Sequence, residues 1–255
     1  MATTVTVTLN GVTLGAPTIA FTNGIIVESS EDDRSPGVTS GAIGSQVVVV
    51  SSNILTIAAN DRIAGAAGKA ITFTFRTGST DVSPISSGGK ITLNYPGGFF
   101  LAGVTPTITS VSLSNSVINS VNSVSAFGAS SVVFTTGPNT ISQNVQVTIT
   151  LGSVTMGSST SGSSGITVST SSDYASVGAP SGNIGSTITL NSVSIAASDR
   201  VAGAAGKSVT LTFTSTQIVP PGGFITINYP SGFFMAKPTA THSITIQGSN
   251  FGQIA

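Results

Sequence analysis

The stretch DRIAGAAGKAITFTF at residues 61–75 returns as DRVAGAAGKSVTLTF at residues 199–213. Arginine, glycine and lysine positions coincide in the two copies, while the apolar positions exchange conservatively, as Phe73 does for Leu211. Conservative drift around fixed glycines is typical of duplicated structural units. The chain therefore contains an internal repeat, and the separation of the copies measures its length.

The repeat extends in both directions from this stretch. Downstream, GGKITLNYPGGFFLA at residues 88–102 returns as GGFITINYPSGFFMA at residues 222–236. Upstream the match weakens but persists, since GVTLG at residues 11–15 answers SVTMG at residues 153–157. The period is therefore about 140 residues, the size of one domain.

This period predicts one complete unit and two partial ones. A unit that begins near Gln46 runs as a full copy to residue 185. Residues 1–45 then match the last third of a unit, and residues 186–255 match its first half. We expect a partial unit at 1–45, a complete β-sandwich unit at 46–185 and a second partial unit at 186–255.

Apolar and polar residues alternate along the complete unit, which predicts strands, and Gly, Pro and Asn residues predict turns between them. The candidate strands run from Gln46 to Ile57, Ala70 to Phe75, Lys90 to Tyr95, Thr107 to Leu113, Ser130 to Thr135, Asn144 to Leu151 and Ile166 to Thr170. About seven short strands without a helical period indicate an antiparallel sandwich. The sequence predicts an all-β protein of tandem immunoglobulin-like β-sandwich repeats with incomplete terminal units.

The composition disfavours several classes of partner. The chain is 39% hydrophobic and only 6% charged, with a net charge of zero. It lacks the basic surface that nucleic acids or anionic membranes attract, and no apolar run approaches the ~18 residues of a membrane span. We expect no nucleic-acid partner and no membrane insertion. The low charge suits self-association. No Asn-x-Ser/Thr acceptor occurs, whereas the many Ser and Thr residues leave O-linked glycans open.

The sequence offers no convincing catalytic group, cofactor site or metal site. GAAGKS at residues 203–208 resembles a phosphate-binding loop, but a strand pattern follows it in place of a helix. His242 is the only histidine, so a catalytic triad or a multi-histidine metal site is disfavoured. The repeated Asp-Arg pairs at 61–62 and 199–200 are more typical of turn caps or local ion pairs. We expect a protein that is not an enzyme.

Four acidic residues cluster in ESSEDDR at residues 28–34. A calcium loop needs oxygen ligands at fixed alternating positions with a glycine at the turn, and this cluster does not provide them. A solvated surface loop is the favoured interpretation, with a cation site as the alternative.

The two ends of the chain carry the functional prediction. Thr4 to Leu9 alternates as a half-buried strand does, while residues 186–255 hold the first strands of a sandwich. A half-sandwich exposes its core and an unpaired edge, which is unstable in water. We expect the N-terminal strand to complete it. The candidate donor residues are Val5, Val7, Leu9, Val12 and Leu14; the candidate acceptor core is Val209, Leu211, Phe213, Ile225, Ile227, Phe233, Phe234, Ile244 and Ile246.

Three arrangements satisfy this expectation. The donor strand could complete a neighbouring subunit, which propagates head to tail into a homopolymeric filament. It could fold back on its own chain, or the 255 residues could be a window of a longer tandem array. The first is favoured, and the sequence leaves all three open.

The incomplete domain and the alternating strand from Val5 to Leu9 give the chain a resemblance to the strand-donating subunits of extracellular fibres such as pili and fimbriae. The resemblance concerns the logic of assembly and covers both ends of the chain. It implies a structural subunit at the cell surface or outside the cell, with itself as partner. The alternative is a segment of a large repetitive surface adhesin that binds carbohydrate or surfaces.

Overall fold

The computed structural model describes residues 4–49, 54–79, 84–115, 121–215, 217–219 and 224–235. The chain divides into two compact units, Met1–Ile184 and Gly185–Ala255. The described residues form strands, turns and two single-turn 3-10 helices, with no α-helix among them. The prediction of an all-β protein is confirmed.

The first unit holds ten of the strands that the structure describes. They are β1 (Ser45–Gln46), β2 (Leu55–Ile57), β3 (Lys69–Arg76), β4 (Lys90–Asn94), β5 (Thr107–Leu113), β6 (Val121–Val124), β7 (Ser131–Thr136), β8 (Gln146–Val154), β9 (Thr167–Thr170) and β10 (Asp173–Tyr174). The second unit holds β11 (Thr189–Ser194) and β12 (Thr210–Thr214).

Eight of these strands form two four-stranded antiparallel sheets. One sheet has the order β2-β3-β8-β5 and the other the order β6-β7-β4-β9. In the immunoglobulin order the second strand lies beside the fifth, whereas here the second strand of the sandwich, β3, lies beside the seventh, β8. The strand order therefore differs from that of an immunoglobulin domain.

Alternation places the apolar side chains of both sheets in one core. Along β3 and β8 every second residue is buried: Ile71, Phe73 and Phe75 on one strand face inward with Val147, Ile149 and Leu151 on the other. The rings of Phe73 and Phe134 lie 4.9 Å apart and join the two sheets. Burial of each such side chain stabilises the unit by about 1.5–3 kcal/mol.

An aromatic cluster closes one end of this core. Tyr95 follows β4, and its ring meets that of Phe100 edge to face at 4.9 Å. Phe99 and Phe127 complete the cluster. The Tyr95 hydroxyl lies 3.0 Å from the carbonyl oxygen of Gly128 and 2.8 Å from that of Ser131, so a buried polar group is satisfied.

Most of the predicted strands exist, with three differences. Of the strand predicted from Gln46 to Ile57, the described residues include β1 at its start and β2 at its end, and residues 50–53 lie outside the described residues. β6 and β10 were not predicted, because VNSV offers too short an alternation and Asp173–Tyr174 is only two residues long. Thr4 to Leu9 forms no strand with any described residue. Its alternation is real, but none of the described strands pairs with it.

Candidate functional site

The candidate donor residues are exposed. Val5, Val7 and Leu9 expose 79%, 76% and 77% of their surface, and Val12 and Leu14 are similarly open. Isolated apolar side chains on a protein surface are ordinary, but a contiguous set of large ones marks an interaction surface. We name residues 4–14 the donor segment.

The donor segment repeats the sequence pattern of β8 and keeps its apolar positions. TVTVTLNGV at residues 4–12 aligns with QVTITLGSV at residues 146–154 through the shift of 142 that relates GVTLG to SVTMG. Val147, Ile149 and Leu151, the counterparts of Val5, Val7 and Leu9, are all fully buried. The same pattern is therefore a core strand in one place and an exposed segment in the other.

Residues 15–45 repeat the end of the unit in their local hydrogen bonds as well as in sequence. The amide of Val27 donates to Ser35 Oγ at 2.9 Å, and the amide of Val168 donates to Ser176 Oγ at 3.1 Å. The bridge between Ile25 and Val38 answers the bridge between Ile166 and Ala179. The shift here is 141. The N-terminal segment thus has the local geometry of the unit's last third.

The acidic loop belongs to this copied geometry. The Ser29 hydroxyl donates to Asp32 at 3.1 Å and accepts from the Asp32 amide at 2.8 Å. Thr170 and Asp173 make the same pair of bonds in the complete unit, where Asp173 is buried and also accepts from the Ser45 hydroxyl. Among the described residues, no three His, Cys, Asp or Glu side chains are grouped so that they could hold a metal ion.

The second unit repeats the first hairpin of the sandwich. Val193 pairs with Leu211 and Ser194 with Thr210, in the register that joins Leu55 to Phe73 and Thr56 to Thr72. β11 and β12 are therefore the counterparts of β2 and β3, related by a shift of 138. In the complete unit, the other edge of β3 is covered by β8; β12 pairs with β11 alone among the described strands.

The connector before β12 also has the same form in both copies. Single-turn helices lie at Ala59–Asp61 and Ala197–Asp199. Lys69 contacts Asp61 at 3.2 Å, and Lys207 contacts Asp199 at 3.0 Å. The glycines of GAAGKS have positive φ and form a turn that leads into a strand. In each copy the repeated aspartate therefore pairs with the lysine of the motif, and the arginine beside the aspartate makes different contacts.

Arg62 binds backbone carbonyl groups near the end of the unit. Its guanidinium donates to the carbonyl oxygens of Ser181 and Asn183, both at 3.0 Å, and burial lowers the pKa of the group. The bonds tie the connector to the last residues of the same unit. Arg200 donates instead to the Ile195 carbonyl at 3.2 Å.

The candidate acceptor residues are half-buried or exposed. Val209, Leu211, Phe213 and Ile225 are half-buried, whereas Ile227, Phe233 and Phe234 are exposed. Their counterparts in the complete unit are all buried; these are Ile71, Phe73, Phe75, Ile91, Leu93, Phe99 and Phe100. Ile244 and Ile246 lie outside the described residues, as does His242.

The aromatic turn is formed in the second unit despite its exposure. The rings of Tyr229 and Phe234 lie 4.8 Å apart, edge to face, as do those of Phe233 and Phe234. These values match the Tyr95 cluster. The acceptor face, which comprises the described residues between 189 and 235, therefore combines local structure that is already formed with apolar side chains that are only half-buried or exposed.

Comparison of the chain with protein-family models, with curated proteins and with solved structures gave no match. The described residues contain no helix long and apolar enough to cross a membrane.

Sequence reasoning missed two residues at these surfaces. Gly157 packs so tightly that a Cβ there would collide with the Gly98 carbonyl, whereas a Cβ on its counterpart Gly15 would meet nothing within 4 Å. Arg200 is the counterpart of Arg62, which is half-buried. The pairing of Gly15 with Gly157 and of Arg200 with Arg62 follows from extending the repeat alignment to every residue. The importance of these residues, however, depends on contacts that only the structure shows.

Proposed function

We propose that the chain is a non-enzymatic structural subunit of an extracellular or cell-surface filament, which polymerises head to tail by β-strand complementation between incomplete domains. Its partner is a second copy of itself. Tandem β-sandwich units, incomplete at residues 1–45 and 186–255, are part of the proposal.

One observation carries this proposal. A copy of core strand β8 lies exposed at residues 4–12, and a copy of its pairing partner β3 lies at β12 with the corresponding edge uncovered by described residues. Burial of the five donor side chains contributes roughly 7–15 kcal/mol. That is comparable to the ~4–15 kcal/mol cost of association, before backbone hydrogen bonds are added.

Truncation tests the proposal. Removal of residues 1–14 should abolish polymerisation, because the variant lacks the donor strand, and leave soluble single subunits. Sedimentation velocity and electron microscopy over a range of concentrations measure the effect. Val7→Asp should act in the same way, since a charge cannot enter a core, whereas Thr6→Ser is the matched control on the outward face. Filaments from the truncated protein would exclude donation from this end.

The same surfaces also fit a second candidate, a segment of a large repetitive surface adhesin in which successive units of one polypeptide cover one another. The agreement of the β11–β12 register with that of β2–β3 supports the adhesin segment as much as it supports the filament subunit. The mass of the native protein separates the candidates, because a chain much longer than 255 residues is expected only for the adhesin. The extracellular location rests on the resemblance to pilus subunits, and surface labelling of intact cells tests it.

A further inference from the structure

We propose that the N-terminal residues 4–43 of one copy dock on the acceptor face of a second copy in the register that the complete unit uses internally. This inference rests on the proposed function and specifies its contact. It fixes which residue lies opposite which.

The first contact is the β3–β8 ladder. In the complete unit Phe75 lies opposite Val147, Phe73 opposite Ile149 and Ile71 opposite Leu151. Through the shifts of 138 and 142, Phe213 lies opposite Val5, Leu211 opposite Val7 and Val209 opposite Leu9. Every donor residue then enters a core position that its counterpart occupies.

The outer face of this ladder matches as well. Thr72 and Thr150 share a hydroxyl–hydroxyl hydrogen bond of 3.0 Å, and Thr74 and Thr148 share one of 3.1 Å. The counterparts are all threonines: Thr210 opposite Thr8, and Thr212 opposite Thr6. Cross-strand Thr pairs of this kind stabilise a ladder by about 0.2–1 kcal/mol each.

A second contact comes from the other sheet. In the complete unit Leu93 on β4 lies opposite Val168 on β9. Their counterparts are Ile227 and Val27, which are both exposed. The donor therefore supplies a strand to each sheet of the acceptor, as β8 and β9 do within the complete unit.

Arg200 provides a polar contact. Arg62 binds the carbonyl oxygens of Ser181 and Asn183, whose counterparts through the shift of 141 are those of Ser40 and Ala42. Arg200 of the acceptor then binds these two carbonyls of the donor. An arginine with two fixed acceptors gives orientation as well as affinity.

Both partners have the required local structure before they meet. The serine-mediated turns of residues 27–40, the connector of residues 197–207 and the aromatic turn of residues 229–234 match those of the complete unit. Association of parts that are already ordered loses less conformational entropy. This is why the register of the complete unit is the one expected between copies.

Cysteine cross-linking tests the register, since the chain has no native cysteine. Full-length Thr8→Cys and full-length Thr210→Cys, one of them carrying a mass tag, are mixed and oxidised. Residues directly opposite on a ladder come within disulfide reach, whereas diagonal neighbours at roughly 7 Å do not. We expect a covalent heterodimer, at a yield about tenfold above that of Thr6→Cys mixed with Thr210→Cys. Within one chain, Thr72→Cys with Thr150→Cys is the positive control for this geometry.

Two results would overturn the inference. Equal yields from the two mixtures would exclude the register, and a disulfide confined to single chains of a Thr8→Cys, Thr210→Cys double variant would show that the segment folds back. The filament assay separates failure of the proposed register from failure of the proposed function. If filaments form and require residues 1–14, but the covalent heterodimer does not form, only the register is refuted. If neither filaments nor the heterodimer form, the proposed function is refuted too.

Discussion

Tyr95 and Tyr229 show how one sequence motif behaves in two environments. Both rings make the same edge-to-face contact with a phenylalanine, but Tyr95 is only 3% exposed and Tyr229 is 52% exposed. The local turn is therefore encoded by the nearby residues themselves. Burial is added by the rest of the unit.

This difference gives a prediction at high pH. Burial raises the pKa of Tyr95 to about 12, above its usual value of 10.0. A raised pKa means that the folded state favours the protonated hydroxyl. The stability contribution is therefore complete below pH 10 and is lost as the pH rises through about 12. The melting temperature of the wild type should fall across this interval more steeply than that of Tyr95→Phe.

At neutral pH, Tyr95→Phe should itself destabilise the unit by about 1–3 kcal/mol, because the carbonyl oxygens of Gly128 and Ser131 lose a buried donor. Denaturant unfolding followed by circular dichroism measures the change. The control is Tyr229→Phe, for which we expect less than about 0.5 kcal/mol, as is usual for exposed sites. Equal effects would mean that the two tyrosines share one environment.

Gly157 and Gly15 provide a second matched pair. Gly157→Ala drives a Cβ into the Gly98 carbonyl and should destabilise the complete unit by about 3 kcal/mol. Gly15→Ala meets nothing in the free chain, so the stability of the monomer should be unchanged. If the register is correct, however, its Cβ would collide with the Gly232 carbonyl of the acceptor, and assembly should fail. Ala16→Ser is the control, since the complete unit itself has Ser158 at that position. Normal filaments from Gly15→Ala would contradict the docked geometry.

At the scale of elements, hydrophobic alternation predicted strand positions well but not strand pairing. β3, β4, β5, β7, β8 and β9 lie where period-two patterns placed them. The sheet order was not accessible in this way, because alternation states which face of a strand is buried and not which strand lies beside it. The placement of β3 beside β8 is what distinguishes this sheet from a sheet of an immunoglobulin domain.

The donor segment makes the same point about pairing. Residues 4–12 share their apolar positions with β8, yet only β8 is a strand. A strand is stable only when an adjacent edge supplies hydrogen bonds and a core receives its side chains. The candidate site could be located from the sequence because it consists of repeated apolar residues. The roles proposed for Gly15 and Arg200 could not, because they are inferred from Gly157 and Arg62, which lie against carbonyl oxygens from distant parts of the chain.

At the scale of the whole molecule, stability is expected to be uneven. The sandwich between β2 and β9 has a continuous core, whereas the donor segment and the β11–β12 hairpin expose apolar side chains. Backbone amides that open at low free-energy cost exchange rapidly with solvent. In single subunits, peptides from residues 4–12 and 207–214 should therefore exchange quickly, while peptides from β3 and β8 stay protected.

Assembly should reverse this contrast. If one copy's donor segment covers β12 of the next, peptides 4–12 and 207–214 gain protection together and approach the level of β8 and β3. Hydrogen–deuterium exchange with mass spectrometry, compared below and above the assembly concentration, measures the change. Gly15→Ala at the same high concentration should keep the fast exchange of single subunits, which separates docking from crowding. Protection that rises in only one of the two peptides would contradict their mutual pairing, since each hydrogen bond of a ladder protects an amide only while the opposite strand is in place.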